Sequence, residues 1–292
     1  ASRELTIGKK VERMTIFLIP NLNKARAAQV TDHAVRFLLD AGAQVLLPEK
    51  AAELLERPHL AARDGYSRGD VVLTVGGDGT ILHAARAGLN WHKPILGINL
   101  GRTGFLATCE VDQLEEKLDL LLKRQYRLDD RMLLDACIQG LDGWKRTAMN
   151  DISMYSSDRQ KAAPFDIYCD GLKVNHFRGD GVVVATPTGS TAYSLSAGGP
   201  ILDARISGLI VTPVCAHSIH CPPIVFSADR RLVLQAQPDK NEEVYVSCDG
   251  AEEQQLPAGA TVVITKSDLS VQLVEFQPGD QFRAIDEKLR GR

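Results

Sequence analysis

Three glycines enclose a single carboxylate in the turn Gly76-Gly77-Asp78-Gly79, which follows the apolar run Val71–Val75 and precedes a helix-like segment. A buried strand, a glycine turn and a helix start direct backbone N–H groups at whatever lies above the turn, and phosphate is the usual guest. An aspartate would repel an anion, so its presence favours a base, or a partner for a metal ion, in phosphoryl chemistry. The alternative is a strand-to-helix turn in which the glycines supply left-handed backbone and Asp78 caps the helix.

A second glycine-rich turn, residues 99–105, follows the apolar run Pro94–Ile98. A helix-like segment separates the two runs, so they are expected to be parallel strands of one sheet. Ligands of such sheets bind beyond the carboxyl ends of the strands, where both turns would lie. The sequence therefore predicts one crevice lined by residues 76–79 and 99–105.

The longest unusual segment runs from Arg178 to Pro200 and places an apolar strand, Val182–Ala185, between two polar loops that contain glycine. The second loop carries six hydroxyl side chains within nine residues: Thr188, Ser190, Thr191, Tyr193, Ser194 and Ser196. Hydroxyls beside glycines suit close approach of donors to a sugar, an amide or a phosphate. A helix start capped by Ser190 or Thr191 is the alternative for the same residues.

Strand and helix signals alternate over residues 14–126, whereas helical periodicity is nearly absent after residue 127 and short β runs recur at turn-marked intervals. The pattern predicts an N-terminal Rossmann-like three-layer α/β domain, residues 1–126, and a C-terminal antiparallel β-sandwich, residues 127–276. Residues 277–292, with a short helix over Gln281–Leu289, are expected to return to the first domain. Within the β domain, we expect one strand over Trp144–Ser153 and separate strands over Thr261–Thr265 and Ser270–Glu275.

The composition excludes several classes of protein. The 292 residues are 24% charged and 44% apolar, with a net charge of -3, which provides no basic field for nucleic acid or an anionic membrane. No apolar run approaches the ~20 residues of a membrane span, and the N-terminal residues lack a signal-peptide core. We therefore expect a cytoplasmic protein.

Six cysteines are scattered without a CxxC pair and are expected to be reduced thiols. Cys215, His217, His220 and Cys221 lie within seven residues, a density that could indicate zinc. The spacing matches no common ligand pattern, and the adjacency of His220 and Cys221 makes joint tetrahedral coordination awkward. We therefore predict no metal site there.

The segment that begins Thr186-Pro187-Thr188-Gly189-Ser190-Thr191-Ala192-Tyr193 and ends Gly198-Gly199-Pro200 resembles the signature of the NAD kinases. The Gly-Gly-Asp-Gly turn is less specific, since it also occurs in 6-phosphofructokinases and in diacylglycerol and sphingosine kinases. Further matches follow in family order over nearly the whole chain: Gly97-Ile98-Asn99 with Gly104-Phe105-Leu106, Asn150-Asp151 and Asp249-Gly250.

The resemblance implies a kinase that phosphorylates the adenosine-ribose 2′-hydroxyl of NAD+ to give NADP+, with ATP or another phosphoryl donor and Mg²⁺. It implies that Asp78 is the general base and that residues of both domains contribute to one site. It also implies a homodimer or homotetramer. The implied binding positions are Asp78, Gly79, His83, Phe105, Asn150, Asp151, Lys161, Arg178, Asp180, Thr188, Thr191, Ala192, Tyr193, Ser194, Leu195 and Ser196. Two positions depart from the family pattern: Asp151 replaces a glutamate, and Ala251 replaces a glutamine.

Two other functions fit part of the sequence. A lipid kinase of the diacylglycerol type would share the first glycine turn, but it would not predict residues 186–193 or the lack of an apolar or basic membrane patch. A dinucleotide sensor without activity would have no use for a carboxylate beside phosphates. Formation of NADP+ separates the three hypotheses.

Overall fold

The structure is a computed structural model that describes residues 13–101, 104–157, 162–218, 220–237, 243–251, 253–277, 279 and 282–286. The described residues form two units. The first contains those up to Ala84, those of Lys93–Arg127 and those from Val274 onward, and the second contains Ala85–His92 and Leu128–Leu273. Residues 282–286 are helical. None of the described helices combines the length and the apolar character needed to cross a membrane.

The first unit is built on five parallel strands. They are β1 (Thr15–Pro20), β2 (Gln44–Leu46), β3 (Val71–Gly76), β4 (Ile95–Asn99) and β5 (Cys109–Glu110). Their spatial order is β5-β4-β3-β1-β2, and every pairing is parallel. All carboxyl ends therefore meet at one edge of the sheet, as the alternating pattern predicted.

Helices cover this sheet. They are α1 (Ala27–Asp40), α2 (Glu49–Leu54), α3 (Gly65–Arg68), α4 (Asp78–Gly88) and α5 (Leu114–Leu122). Short 3-10 turns occur at Pro58–Leu60, Leu89–Trp91 and Val111–Gln113.

The helices lie on both faces of the sheet. Leu38 of α1 and Leu118 of α5 join one apolar core with Leu18 of β1. Successive side chains of a strand point to opposite faces, and accordingly Phe17 contacts Tyr66 of α3, with ring centroids 5.0 Å apart. The first unit therefore has the three-layer α/β architecture that the sequence predicted.

Besides the end of α4, the described residues of the second unit form two β-sheets and a short helix. Its strands are β6 (Arg127–Gln139), β7 (Lys145–Ala148), β8 (Asp151–Ser156), β9 (Ala163–Cys169), β10 (Leu172–Gly179), β11 (Gly181–Ala185), β12 (Gly208–Val214), β13 (Ile224–Ser227), β14 (Leu232–Ala236), β15 (Val244–Cys248), β16 (Glu253–Gln255) and β17 (Thr261–Glu275). The helix α6 (Tyr193–Ser196) follows a 3-10 turn at Gly189–Thr191.

One sheet has the order β10-β9-β14-β17, with β6 paired to β17 and β7 paired to β6, and the other has the order β13-β12-β11-β8-β15-β16. Apolar side chains of both sheets form one core: Phe165 and Ile167 from the first, Met154 and Val184 from the second. The unit is thus a β-sandwich, as predicted.

Two strand predictions were wrong in detail. The run Trp144–Ser153 is not one strand, because it is interrupted between Ala148 and Asp151. Conversely, Thr261–Glu275 is one continuous strand. Lys266 and Asp268 are exposed while Ser267 between them is buried, so the strand alternation continues through residues whose polarity suggested a turn.

Candidate active site

Asp78 is the first residue of α4 and comes two residues after the end of β3. Its half-buried carboxylate accepts hydrogen bonds from the backbone N–H groups of Phe105, at 2.8 Å, and Leu106, at 3.1 Å. The structure therefore directs this carboxylate to the second glycine turn. Each oxygen accepts one amide and keeps a further lone pair, so the group can still accept a proton.

Close approach explains two of the glycines around Asp78. A Cβ atom on Gly104 would lie 2.1 Å from Oδ1 of Asp78, and one on Gly76 would lie 2.0 Å from Oγ1 of Thr80. Real side chains do not tolerate such distances, so both positions require glycine. The structure thus brings the two glycine turns into direct contact within the first unit.

A pocket of about 410 Å³ opens beside the start of α4. Its lining includes Asn21 after β1, Lys50 of α2, and Gly79, Thr80 and His83 of α4. The Thr80 hydroxyl is buried and has no hydrogen-bond partner among the residues that the structure describes. The pocket therefore combines an open helix N-terminus with an unsatisfied donor, which suits an anionic ligand.

Lys24 adds a positive charge at the same glycine turn. Its Nζ lies 3.1 Å from the carbonyl oxygen of Gly76, and a Cβ atom on Gly77 would lie 2.7 Å from that nitrogen. No sequence motif marks Lys24, Lys50 or Asn21. The rule that parallel strands end at one edge could have found Asn21 and Lys24, since both follow β1.

In the second unit, three strand ends meet at Asn150 and Asp151. Asp151, the first residue of β8, is paired with Ala185, the last residue of β11. Its neighbour Ile152 is paired with Cys248, the last residue of β15. The segment after β11, the Asn150-Asp151 pair and Asp249 after β15 therefore lie at one edge of this sheet.

The Asp151 side chain is only 5% exposed. Burial in the protein, together with the nearby Asp249 carboxylate, raises the pKa of Asp151 to about 7, although the backbone N–H of Tyr193 donates a hydrogen bond that opposes the shift. Burial also raises the pKa of Asp249, against the effect of the backbone amides that it accepts. A carboxyl group with a pKa near neutrality is typical of functional sites.

This raised pKa predicts how Asp151→Asn changes stability with pH. The folded protein favours the protonated carboxyl, so its stabilising contribution is full below the ordinary pKa of 3.8 and is lost as the pH rises towards about 7. In urea unfolding, the free energy of unfolding of the variant relative to wild type should therefore rise by up to about 1.4 kcal/mol per pH unit across that interval.

Asp170→Asn is the control with the opposite sign. The backbone N–H of Arg231 and the Arg230 guanidinium lower the pKa of Asp170, so its contribution is present above 3.8 and is lost as the pH falls. The loss of unfolding free energy caused by Asp170→Asn, relative to wild type, should become smaller as the pH falls. A stability difference between Asp151→Asn and wild type that does not change with pH would contradict the assignment.

The hydroxyl-rich loop after β11 separates into buried and accessible side chains. Thr188 and Ser194 are buried, and Ser194 Oγ lies 2.8 Å from Oγ1 of Thr212. Ser190 is also buried, Thr191, Ala192 and Leu195 are half-buried, Tyr193 is 42% exposed and Ser196 is exposed. The buried hydroxyls hold the loop, so a ligand has access to the exposed side chains and to backbone groups.

The remaining predicted positions lie on several elements. His83 is exposed on α4, Arg178 is exposed on β10, and Lys161 lies outside the described residues. Asp180 accepts a hydrogen bond from the Cys215 thiol and raises the pKa of that thiol. Among the residues that the structure describes, no group of three or more histidine, cysteine or acidic side chains could hold a metal ion.

The chain thus combines an α/β unit that carries a carboxylate in a glycine turn with a β-sandwich unit. The chain matches the ATP-NAD kinase N-terminal domain over residues 16–126 and the ATP-NAD kinase C-terminal domain over residues 149–276. The chain belongs to the ATP-NAD kinase family.

Individual relatives agree with this assignment. An NAD kinase from Caldanaerobacter subterraneus subsp. tengcongensis is 34% identical over 279 residues, which cover 94% of this chain and 98% of that protein. An NAD kinase from Pseudomonas aeruginosa is 35% identical over 264 residues, which cover 89% of this chain and 90% of that protein.

Solved structures show the same fold. The crystal structure of yeast NADH kinase complexed with NADH has a TM-score of 0.85 at 25% identity, and the match covers 95% of this chain and 87% of that one. The structure of an NAD kinase from Archaeoglobus fulgidus in complex with ATP has a TM-score of 0.74 at 26% identity, and the match covers 96% of this chain and 100% of that one.

Proposed function

We propose that this protein transfers the γ-phosphoryl group of ATP to the 2′-hydroxyl of the adenosine ribose of NAD+, and so makes NADP+ for NADP biosynthesis. The observation that carries the proposal is the Asp78 carboxylate, which two backbone amides hold in a glycine turn beside a pocket with an unsatisfied hydroxyl donor. Relatives named NAD kinase over nearly the whole chain support the choice of substrate.

Asp78 acts as the general base. The 2′-oxygen attacks the γ-phosphorus, the bond from that phosphorus to the bridging oxygen of ADP breaks, and the 2′-hydroxyl proton passes to Asp78. Phosphoryl transfer depends mainly on positioning and charge stabilisation, so the base need only orient the hydroxyl and take the proton late. The N–H groups of Phe105 and Leu106 supply the required fixed orientation.

The pocket beside α4 takes phosphate groups, and we propose that the phosphates of the donor and the pyrophosphate of NAD+ meet there. Gly79 has open space around it, so backbone N–H groups at the start of α4 are accessible to an anion. Rotation of the Thr80 side chain would let its buried hydroxyl donate to a phosphate oxygen. Lys24 and Lys50 would balance the negative charge of the phosphates. His83 lines the same pocket and contributes a ring nitrogen.

We propose Mg²⁺ as the divalent cation, bound together with the nucleotide. Magnesium sites of kinases use one or two carboxylates plus substrate phosphates and several waters. The side chains present fit that mode, since Asp78 keeps lone pairs beyond its two amide partners. When bound, the ion neutralises phosphate charge.

We propose that residues of the second unit recognise the dinucleotide. Asn150 and Asp151 would bind ribose hydroxyls or the adenine ring, and a carboxylate can recognise ribose by accepting hydrogen bonds from its two vicinal hydroxyls. Asp180 would accept from the nicotinamide amide or its ribose. The other positions proposed for NAD are Gly79, His83, Phe105, Lys161, Arg178, Thr188, Thr191, Ala192, Tyr193, Ser194, Leu195 and Ser196.

We further propose that residues 1–126 and 127–276 are the functional domains, with residues 277–292 returning to the first. The family resemblance supports a homodimer or homotetramer. The ordinary composition and the net charge of -3 favour a cytoplasmic enzyme that binds neither nucleic acid nor membrane.

A coupled assay tests the proposed activity. The protein is incubated with NAD+, ATP and Mg²⁺, and NADP+ is detected with an NADP-specific dehydrogenase. We expect NADP+ to accumulate with time and with enzyme concentration. Folded protein that forms no NADP+ would exclude the activity, whereas NAD binding without turnover would favour the sensor and phosphorylation of diacylglycerol would favour the lipid kinase.

A further inference from the structure

Asp249 directs its carboxylate at the backbone of residues 149–151. Oδ2 accepts the N–H of Met149 at 2.9 Å, and Oδ1 accepts the N–H groups of Asn150 at 2.6 Å and Asp151 at 3.1 Å. In return, the N–H of Asp249 donates to the carbonyl oxygen of Asp151 at 2.9 Å. A single side chain thus binds three consecutive amides almost a hundred residues away in sequence.

Thr186 holds the same segment from the opposite side. Its hydroxyl donates to the carbonyl oxygen of Met149 at 2.6 Å, and its N–H donates to the carbonyl oxygen of Asn150 at 2.9 Å. The hydroxyl also accepts the N–H of Gly189 at 2.9 Å. Asp249 and Thr186 therefore satisfy the N–H and the carbonyl of both Met149 and Asn150.

These bonds explain the interruption between β7 and β8. The amides of Met149 and Asn150 go to a side chain, whereas an uninterrupted strand would give its amides to a neighbouring strand. A carboxylate is well suited to accept three N–H donors at once, because its two oxygens offer about four acceptor positions and it has no donor of its own. Charge-assisted bonds of this kind are also shorter and stronger than neutral ones.

We propose that Asp249 is a positioning residue that, with Thr186, fixes the backbone of Asn150 and Asp151 so that their side chains are preorganised for the dinucleotide. The inference rests on the proposed function, in which Asn150 and Asp151 bind NAD+. Asp249 acts through these two residues, because its carboxylate accepts their backbone N–H groups. Its loss should weaken NAD binding selectively and leave ATP binding unchanged.

Asp249→Asn tests this role with little disturbance of the turn. Asp249 has a φ of 52°, and asparagine adopts that left-handed conformation readily. The amide NH₂ of asparagine would face backbone N–H donors, so at least one amide loses its acceptor. We expect the KM and the Kd for NAD+ to rise about tenfold to a hundredfold, since an unsatisfied buried donor costs about 1–3 kcal/mol. The KM for ATP should stay unchanged, and kcat should recover at saturating NAD+.

Asp170→Asn is the matched control. Asp170 also has a left-handed backbone, with a φ of 50°, and also precedes a glycine in a hairpin turn. Its carboxylate accepts the guanidinium of Arg230 at 2.7 Å and the N–H of Arg231 at 3.0 Å. The same chemical change there should leave both KM values at wild-type levels.

The KM values of Asp249→Asn decide the proposal. A selective rise in the KM for NAD+ supports it, whereas an unchanged KM, or an equal rise for ATP, overturns it. If Asp249→Asn does not fold, Thr186→Val takes its place, because it removes the hydroxyl bond to Met149. It must give the same selective rise, and unaltered NAD affinity in Thr186→Val overturns the proposal. Calorimetric titration with NAD+ is independent of turnover, so a wild type that binds NAD+ without making NADP+ refutes the proposed activity and not the role of Asp249.

Discussion

Replacement of Asp78 by Asn should lower kcat by about 10²–10⁴-fold while NAD+ binding survives. Asparagine is nearly isosteric and can still accept one of the N–H groups of Phe105 and Leu106. It cannot take a proton from a hydroxyl. The effect should therefore fall on kcat, measured by NADP+ formation, and calorimetry should find the Kd for NAD+ within about threefold of wild type.

Asp70→Asn is the control for this experiment. Asp70 lies just before β3, as Asp78 lies just after it, and its carboxylate also accepts a backbone N–H, that of Thr15, at 2.8 Å. We expect wild-type turnover from this variant. Wild-type kcat in Asp78→Asn would remove Asp78 from catalysis, and an equal loss in both variants would point to a general effect of carboxylate removal.

Replacement of Gly189 by Ala should destabilise the second unit and abolish NAD binding. A Cβ atom at this position would lie 1.9 Å from the carbonyl oxygen of Asn150 and 2.4 Å from its carbonyl carbon. The obstacle is backbone that Thr186 and Asp249 hold in place, so rotation of a side chain cannot relieve it. We expect a loss of unfolding free energy of about 3 kcal/mol or more, at the upper end of overpacking effects.

Urea unfolding measures this loss, and Gly208→Ala serves as its control. The Cβ atom at Gly208 would come no closer than 3.2 Å to its nearest neighbour, the Phe226 carbonyl oxygen, and its φ is not positive. That substitution should change the unfolding free energy by no more than about 1 kcal/mol. If Gly189→Ala matched Gly208→Ala in stability and NAD affinity, the close approach to Asn150 would have no functional importance.

Local patterns were sufficient to predict the fold class. The alternation of apolar runs with helix-like segments indicated the parallel order of the first unit, because parallel strands need a crossover connection, which is usually a helix. The loss of helical periodicity after residue 127 indicated the β-sandwich. One error arose where side-chain contacts overrode the pattern, at Met149 and Asn150, whose amides bind a distant side chain.

The sequence predicted that the two glycine turns lie at one crevice, but not the specific hydrogen bonds between distant parts of the chain. The motifs around Asp78 and Phe105 could be recognised, but the hydrogen bond between them could not, since it joins residues 27 positions apart. The Asp249-Gly250 pair was recognised only as a motif, and its three bonds to residues 149–151 became evident from the structure. Spacing within a motif reports local backbone, whereas these bonds depend on which strand ends the fold brings together.

The second unit uses the same two-residue turn for two purposes. Asp170-Gly171 and Asp249-Gly250 both have left-handed backbones, yet Asp170 binds a surface guanidinium while Asp249 binds backbone amides. Dissolved ions screen exposed charge pairs over about 8–10 Å and act much less on a carboxylate surrounded by neutral amides. High ionic strength should therefore loosen the surface hairpin and leave the segment that carries Asn150 in place. NAD affinity should then be retained at salt concentrations that weaken the surface ion pair.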